Sequence, residues 1–401
     1  MFLTVVDYIA QIAERYPDKT AIIAEGRRWS YAEVVHAMQT NAHLPVPLLG
    51  DDWHGDFCLV TTGSTGKPKS VMLSQQAVVA NSQNLIEAHG YDEHTYFLLL
   101  GALDHLGCWS KIFPVLMTGG TIHILSGGMK DIESLFAVMD DVRAKNCDVE
   151  DEEQLHVATF LVPSNIRILL QMSHDRLGDY ADLIDFIETG AAAMPSEDMR
   201  QLCRLLPHSR LFNTYASTET GVIASYDYND GTCQQGCVGR ALLHSHFFIT
   251  DTGCIACSGP TLMTGYKDNP QDTAAVLRDG VFYTADKGYV DENGMLHIVG
   301  REDDMINVGG YKVSPVEVED VAMALPSVKE CVCVPRPHSI LGAVPCLLVV
   351  LEEGCKLNKR EIARFIAEKL DRYKVPLVYE EVPSLHYTAN GKLDRKRYRQ
   401  T

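Results

Sequence analysis

The segment TTGSTGKPK, from Thr61 to Lys69, combines residue types that suit phosphate binding. Its glycines permit a close approach between backbone and ligand, and successive N–H groups in such a loop form a concavity that binds anions. Hydroxyl and ammonium groups add further donors. The spacing differs from G-x-x-x-x-G-K-[ST], and a polar turn between a strand and a later helix is the alternative interpretation. The candidate phosphate ligands are Thr61, Thr62, Gly63, Ser64, Thr65, Gly66 and Lys69.

A second polar segment, NTYASTETG, extends from Asn213 to Gly221 after a short apolar run. Tyr215 carries a ring that can cover a planar base, Thr218 carries a hydroxyl that can donate to phosphate, and Glu219 carries a carboxylate of the kind that binds Mg²⁺. Polar loops with one carboxylate are ordinary in proteins. This string alone therefore leaves a purely structural role open.

Two further candidates lie closer to the C-terminus. Asp286 follows a predicted strand and can accept hydrogen bonds from the hydroxyls of a ribose, and Arg301 presents a rigid fork of donors. The intervening Asn293-Gly294 pair predicts a hairpin turn, which is compatible with either role. Lys392 lies in the glycine-containing string TANGKLDRK, where a solvated charge is the ordinary interpretation.

Charge and composition exclude several classes of protein. The 53 acidic and 35 basic residues give a formal net charge of -18, which disfavours binding to nucleic acid or anionic lipid through a broad surface. An anionic substrate would need a local cluster of positive groups. The longest apolar runs fall short of the roughly 18 residues that a membrane span needs, and the first residues do not resemble a signal peptide.

The twelve cysteines predict a reducing, cytoplasmic environment in which most thiols are free and buried. Cys233 and Cys237 form one closely spaced pair, and Cys254 and Cys257 form another, which approaches the spacing of a structural zinc site. Ordinary strand and loop positions are the alternative and favoured interpretation.

The elements around these segments predict an α/β architecture. Apolar runs such as FCLV, YFLLL, TIHIL and HVATFLV alternate with amphipathic helical segments, the pattern of a mostly parallel sheet covered by helices. The stretch from about 222 to 300 contains short strands separated by Gly, Asp and Asn, which indicates a small β-rich part. Ser314, Pro315 and Glu317 have the spacing that begins a helix.

The four segments, in this order and spacing, resemble the adenylate-forming superfamily of acyl-CoA synthetases, nonribosomal-peptide adenylation domains and luciferases. The resemblance runs from about residue 57 to residue 399. It implies a large AMP-binding domain, 1–302, followed by a small mobile α+β lid, 303–401. It also implies that the chain is an acid–thiol ligase, which forms an acyl-adenylate from a carboxylic acid and Mg-ATP with release of pyrophosphate. The acyl group then passes to a thiol, most simply that of coenzyme A.

The resemblance also implies a role for each matching residue. The segment from Thr61 to Lys69 would hold the β- and γ-phosphates, and Lys392 would bridge the attacking carboxylate and the α-phosphate. Asp303 matches the hinge of the lid, and His105, with Gly190, would line the acyl pocket. The residues expected at the nucleotide are Gly190, Ala191 and Ala192 beside adenine, Tyr215 stacked on it, Thr218 at phosphate, Glu219 at Mg²⁺, and Asp286 and Arg301 at ribose.

Other features bear on the substrate and the partners. Leu106 stands where relatives that activate α-amino acids carry an aspartate, so a simple fatty, aryl or other organic acid is expected. The alternatives are transfer to the phosphopantetheine of an acyl carrier protein and, in another class, an inactive nucleotide-binding relic. Compared with the family it resembles, the sequence lacks a subdomain's worth of chain between the helix that ends near Ala42 and Asp56. This absence is expected to expose one flank of the large domain. A second copy of the chain, in a homodimer, is one candidate for covering that flank.

Overall fold

The computed structural model describes residues 3–61, 68–147, 149–388 and 393–399, with the backbone alone at position 399. Local sequence sets where the first helices begin. Thr4 and Asp7 form a reciprocal capping box, and so do Ser30 and Glu33. The helices are α1 (Val5–Arg15), α2 (Tyr31–Thr40), α3 (Gln75–His89), α4 (Leu106–Thr118), α5 (Ile132–Asn146), α6 (Pro163–Ser173), α7 (Ser196–Leu205), α8 (Pro270–Val276), α9 (Pro315–Met323), α10 (Lys359–Ala367) and α11 (Arg395–Arg399).

The four apolar runs named above all form strands, although some of the bounds shift by one residue. The strands are β1 (Thr20–Ala24), β2 (Arg27–Ser30), β3 (Phe57–Thr61), β4 (Lys69–Leu73), β5 (Thr95–Leu99), β6 (Thr121–Ile124), β7 (His156–Leu161), β8 (Ile184–Thr189), β9 (Arg210–Ser217), β10 (Gly221–Asp227), β11 (Cys237–Ala241), β12 (His246–Ile249), β13 (Cys254–Ser258), β14 (Gly265–Tyr266), β15 (Leu277–Arg278), β16 (Val281–Val290), β17 (Leu296–Arg301), β18 (Ile306–Val308), β19 (Tyr311–Val313), β20 (Val328–His338), β21 (Gly342–Leu351) and β22 (Val378–Glu381).

The largest sheet joins a parallel half to an antiparallel half. Within the described residues it has 14 strands, in the order β12-β13-β16-β17-β11-β10-β9-β8-β7-β5-β6-β1-β2, with β15 paired to β16. The neighbours from β1 to β9 run parallel, whereas those from β9 to β12 run antiparallel. The mixed α/β fold class and the β-rich part are therefore confirmed.

Two smaller sheets complete the described fold. Strands β14, β4 and β3 form one, and β19, β18, β21, β20 and β22 form the other. The second sheet packs with α9 and α10 around its own apolar core. Its first strand begins shortly after residue 302, where the sequence predicts a domain boundary, and the division into domains at that point remains a prediction. No helix among the described residues is long and apolar enough to cross a membrane.

A wide cavity of about 870 Å³ opens on the flank where the chain is unexpectedly short. Its lining includes Trp29, Leu44, Trp53, Leu103 and Ile124. Trp29 lies on β2, Ile124 ends β6, and Leu103 lies between β5 and α4, whereas Leu44 and Trp53 belong to the irregular segment that follows α2. The cavity therefore lies beside the segment between α2 and β3, where the resemblance leads us to expect additional chain.

Candidate active site

The residues expected at ribose and adenine meet in one hydrogen-bonded group. Asp286 on β16 pairs in register with Arg301 at the end of β17. The Tyr215 hydroxyl donates to Asp286 Oδ2 over 2.7 Å, and Arg301 Nη1 donates to Oδ1 over 3.2 Å. Burial, reinforced by the negative charge of Asp286, raises the pKa of Tyr215 well above its usual value. Tyr215 therefore keeps its proton and acts as a donor that orients the carboxylate.

The segments expected at phosphate and magnesium are connected through β14. Tyr266 OH donates to Glu219 Oε1 over 3.0 Å, and its ring lies 4.6 Å from Lys69 Nζ. The same ammonium pairs with Asp272 Oδ2 at 2.9 Å. Thr61 and Lys69 are themselves paired across β3 and β4. Tyr266 and Asp272 were missed by the sequence reasoning, because only the pairing of β14 with β4 brings them to these partners.

The segment expected beside adenine and the acyl group follows β8. A Cβ atom placed on Gly190 would lie 2.7 Å from Thr214 Oγ1, so this position accepts only glycine without local movement. Ala191 has a left-handed φ of 72°, which is uncommon for a residue with a side chain and marks a constrained turn. Ala192 is exposed directly after it.

His105 begins α4 as its N-cap residue. Its Nδ1 accepts a hydrogen bond from the Gly107 backbone N–H at 3.2 Å. Deeper in the same helix, Lys111 forms a buried ion pair with Glu188, which lies two positions before Gly190 on β8. Sequence reasoning missed this pair, since a lysine and a glutamate so far apart in the chain carry no local indication of contact.

The remaining predicted residues occupy less enclosed positions or lie outside the described residues. Thr218 is half-buried in the turn between β9 and β10, and Asp303 is exposed in a short turn between β17 and β18. Among the predicted ligands, Thr62, Gly63, Ser64, Thr65, Gly66 and Lys392 lie outside the described residues.

The described residues hold no group of three or more His, Cys, Asp or Glu side chains arranged for a metal. Cys233, Cys237, Cys254 and Cys257 are free thiols at loop or strand positions. Magnesium differs from zinc in that one carboxylate, completed by water and substrate phosphates, is an ordinary site. Glu219, with one oxygen held by Tyr266, fits that requirement.

Comparison with known proteins supports the same assignment. Residues 55–267 match the model for AMP-binding enzymes, and residues 317–392 match the model for their C-terminal domain. The chain is similar to indoleacetate–CoA ligase of Aromatoleum aromaticum, with 31% identity over 85% of this chain and 66% of that protein. It is also similar to long-chain-fatty-acid–CoA ligase of Bacillus subtilis, with 30% identity over 84% of this chain and 60% of that protein.

A solved structure shows the same fold. The o-succinylbenzoate CoA synthetase of Bacillus subtilis, in complex with its acyl-adenylate intermediate, superposes with a TM-score of 0.79 at 19% identity, over 98% of this chain and 97% of that one. The chain spans less than two thirds of the length of the curated relatives described above. Because the AMP-binding model covers more than half of the chain, the resemblance inferred from the four segments is confirmed: the chain belongs to the AMP-binding enzyme family, the adenylate-forming superfamily.

Proposed function

We propose that this chain activates a small carboxylic acid with ATP and transfers the acyl group to coenzyme A. In the first step a carboxylate oxygen attacks the α-phosphorus, the bond to the β-phosphate oxygen breaks, and pyrophosphate leaves. In the second step the thiol attacks the acyl carbonyl, loses its proton and displaces AMP. The observation that carries the proposal is the hydrogen-bonded group of Asp286, Tyr215 and Arg301. Within this group, Tyr215 lies on β9, the strand that leads into the turn with Glu219.

The roles of the residues follow from their chemistry. The two oxygens of Asp286 accept the ribose hydroxyls while Tyr215 and Arg301 hold the carboxylate in place. The adenine ring lies between Tyr215 and the segment from Gly190 to Ala192. The segment from Thr61 to Lys69 binds the β- and γ-phosphates, with Thr218 as a further donor. These assignments rest on family membership together with the contacts described above.

The first step brings a carboxylate towards a triphosphate, so positive groups must offset the repulsion. Glu219 would hold Mg²⁺, which neutralises charge on the phosphates as pyrophosphate departs. Tyr266 keeps the Glu219 carboxylate oriented by donating to one of its oxygens. Lys392, outside the described residues, would bridge the carboxylate and the α-phosphate from the C-terminal lid.

Residues 303–401, the proposed lid, adopt one arrangement for adenylate formation and another for acyl transfer. Closure with Lys392 inserted excludes water while the adenylate forms. Rotation about Asp303 then admits the thiol. We also propose a cytoplasmic location, which the cysteine content favours. A homodimer could cover the flank that the shortened segment is expected to expose.

Exchange of labelled pyrophosphate into ATP, measured across a panel of carboxylic acids, tests the first step. Exchange that depends on one class of acid is the expected result, and Asp286→Asn should weaken it through a higher KM for ATP. No exchange with any acid would favour a nucleotide-binding relic. Adding coenzyme A or a phosphopantetheinylated carrier protein then identifies the acceptor. Since the relatives described above are CoA ligases, we expect coenzyme A to release AMP.

A further inference from the structure

A buried ion pair lies directly behind the segment proposed to line the acyl group. Lys111 Nζ lies 2.7 Å from Glu188 Oε1, and each side chain is 1% exposed. Thr214 Oγ1 donates to the same carboxylate oxygen over 3.1 Å. Breaking such a pair leaves an uncompensated buried charge, which is strongly unfavourable. The pair is therefore a fixed part of the interior that a bound ligand cannot easily displace.

The surroundings of the pair are neutral overall. Glu188 Oε2 lies 3.5 Å from His89 Nδ1, and His89 Nε2 is hydrogen-bonded with Ser225 Oγ at 2.9 Å. Complete burial, followed by the charges of Lys111 and Arg210, lowers the pKa of His89 well below its usual value, so its ring is neutral. Asp185 in turn pairs with Arg210. The charges are thus matched within the protein and offer no net attraction to a second carboxylate or to an ammonium group.

One aromatic ring lies beside both this pair and the proposed acyl site. Lys111 Nζ lies 5.2 Å from the centre of the Phe160 ring. The edges of the ring approach both Gly107 and Gly190, since a Cβ atom placed on Gly107 would lie 2.5 Å from Cε1 and one placed on Gly190 would lie 3.6 Å from Cε2. Phe160 therefore fills the space between the first turn of α4, which His105 begins, and the segment after β8.

From this arrangement we propose that the acyl site takes a compact, uncharged acyl group, an aromatic ring or a short aliphatic chain, and excludes long-chain fatty acids. This inference rests on the proposed function and deepens it by naming the substrate class. A long chain that continues past Gly190 would meet the Phe160 ring and the Lys111–Glu188 pair beside it, and it would have to displace them. A short acyl group ends before the ring and disturbs neither.

The test uses pyrophosphate exchange with the full chain and a graded series of acids. The series contains straight-chain acids from two to sixteen carbons, benzoate, phenylacetate, malonate and phenylalanine. We expect kcat/KM for the best compact acid to exceed that for the C12 to C16 acids by about a hundredfold or more, which corresponds to the cost of disrupting a buried pair. The kcat/KM values for malonate and phenylalanine should be as low as those for the C12 to C16 acids, because the site offers no net charge to attract their second charged group.

Two variants test the structural cause. Phe160→Ala should improve the ratio of long-chain to compact acids by at least about tenfold, because it removes the ring that closes the site. Combining Phe160→Ala with Lys111→Met and Glu188→Leu should also improve the ratio of long-chain to compact acids. The last two substitutions remove both charges together, so that neither is left buried without a partner. Thermal unfolding establishes that each variant folds, and the KM for ATP should stay unchanged.

Phe136→Ala is the matched control, since Phe136 is also buried but packs against Tyr180 in a separate core cluster from Phe160. It should lower stability without changing the preference for acyl length. Equal or better kcat/KM for C12 to C16 acids in the wild type would overturn the inference and leave the proposed function standing. An unchanged preference in a folded Phe160→Ala variant would also overturn it. No exchange with any acid would overturn the proposed function itself, and this inference with it.

Discussion

The hydroxyl of Tyr215 provides a direct test of how the structure holds the Asp286 carboxylate, which we propose binds the ribose. Tyr215→Phe keeps the ring and removes only the donor that lies 2.7 Å from Asp286 Oδ2. Arg301 still donates to the other oxygen at 3.2 Å, so the carboxylate loses one of two restraints. We expect weaker binding of ATP with little change in the rate of adenylation once ATP is saturating.

The size of the effect follows from the charge and the exposure of the carboxylate. A hydrogen bond to a charged group contributes about 1.5–3 kcal/mol. The Asp286 side chain is 19% exposed, so water can replace part of the lost bond, and the lower end of that range applies. About 1.4 kcal/mol corresponds to a factor of ten in affinity. The KM for ATP should therefore rise about tenfold, and the variant should lose about 1 kcal/mol of unfolding free energy.

The assay is pyrophosphate exchange at varied ATP, with chemical unfolding of the same samples. Tyr289→Phe is the matched control, since Tyr289 is 51% exposed and its ring stacks on His297 rather than at the site. A double-mutant cycle with Asp286→Ala separates the mechanism from general damage. If Tyr215 acts through Asp286, adding Tyr215→Phe to Asp286→Ala changes the KM little. Full additivity, or an unchanged KM in the single variant, would refute the reasoning.

Three other predictions concern the metal, the lid and the buried histidine. Tyr266→Phe removes the donor to Glu219 Oε1 and should raise the Mg²⁺ concentration needed for half-maximal exchange by several-fold, with magnesium binding by calorimetry in the presence of ATP as the independent readout. Lys392→Ala should abolish exchange and largely spare thioester formation from supplied acyl-adenylate; equal loss of both steps would contradict its lid role. Because the folded state holds His89 neutral, the unfolded chain binds an extra proton below pH 6.5, so stability should fall by up to about 1.4 kcal/mol per pH unit there. His89→Phe should flatten that slope in unfolding titrations, and an unchanged slope would count against a depressed pKa.

The elements that begin at local sequence patterns could be predicted from the sequence. Ser314 caps α9, Pro315 occupies its first turn, and the Ser314 hydroxyl accepts from the Glu317 N–H, as the spacing of these residues indicates. The hairpin at Asn293-Gly294 is equally local, with Gly294 at a φ of 77°. Such features depend on interactions within a few residues, so they are visible before the chain is folded.

The contacts that orient the site residues could not be predicted in this way. Tyr266 reaches Glu219, and Asp272 reaches Lys69, because Gly265 pairs with Met72 across β14 and β4. No periodicity or spacing encodes that register, which depends on packing between distant parts of the chain. The candidate ligands could be found from their types and order, but their positioning residues required the folded structure.

The position of α7 links the proposed site to the C-terminal part of the chain. The segment from Gly190 to Ala192 connects β8, which carries Glu188, to this helix. At its first residue, Ser196 donates from its backbone N and its hydroxyl to the two oxygens of Asp320, over 2.8 and 3.0 Å. A carboxylate is favoured there because the first N–H groups of a helix lack partners within the helix. Water can replace these hydrogen bonds, so the contact is compatible with the proposed rotation of the lid about Asp303 between the two proposed steps.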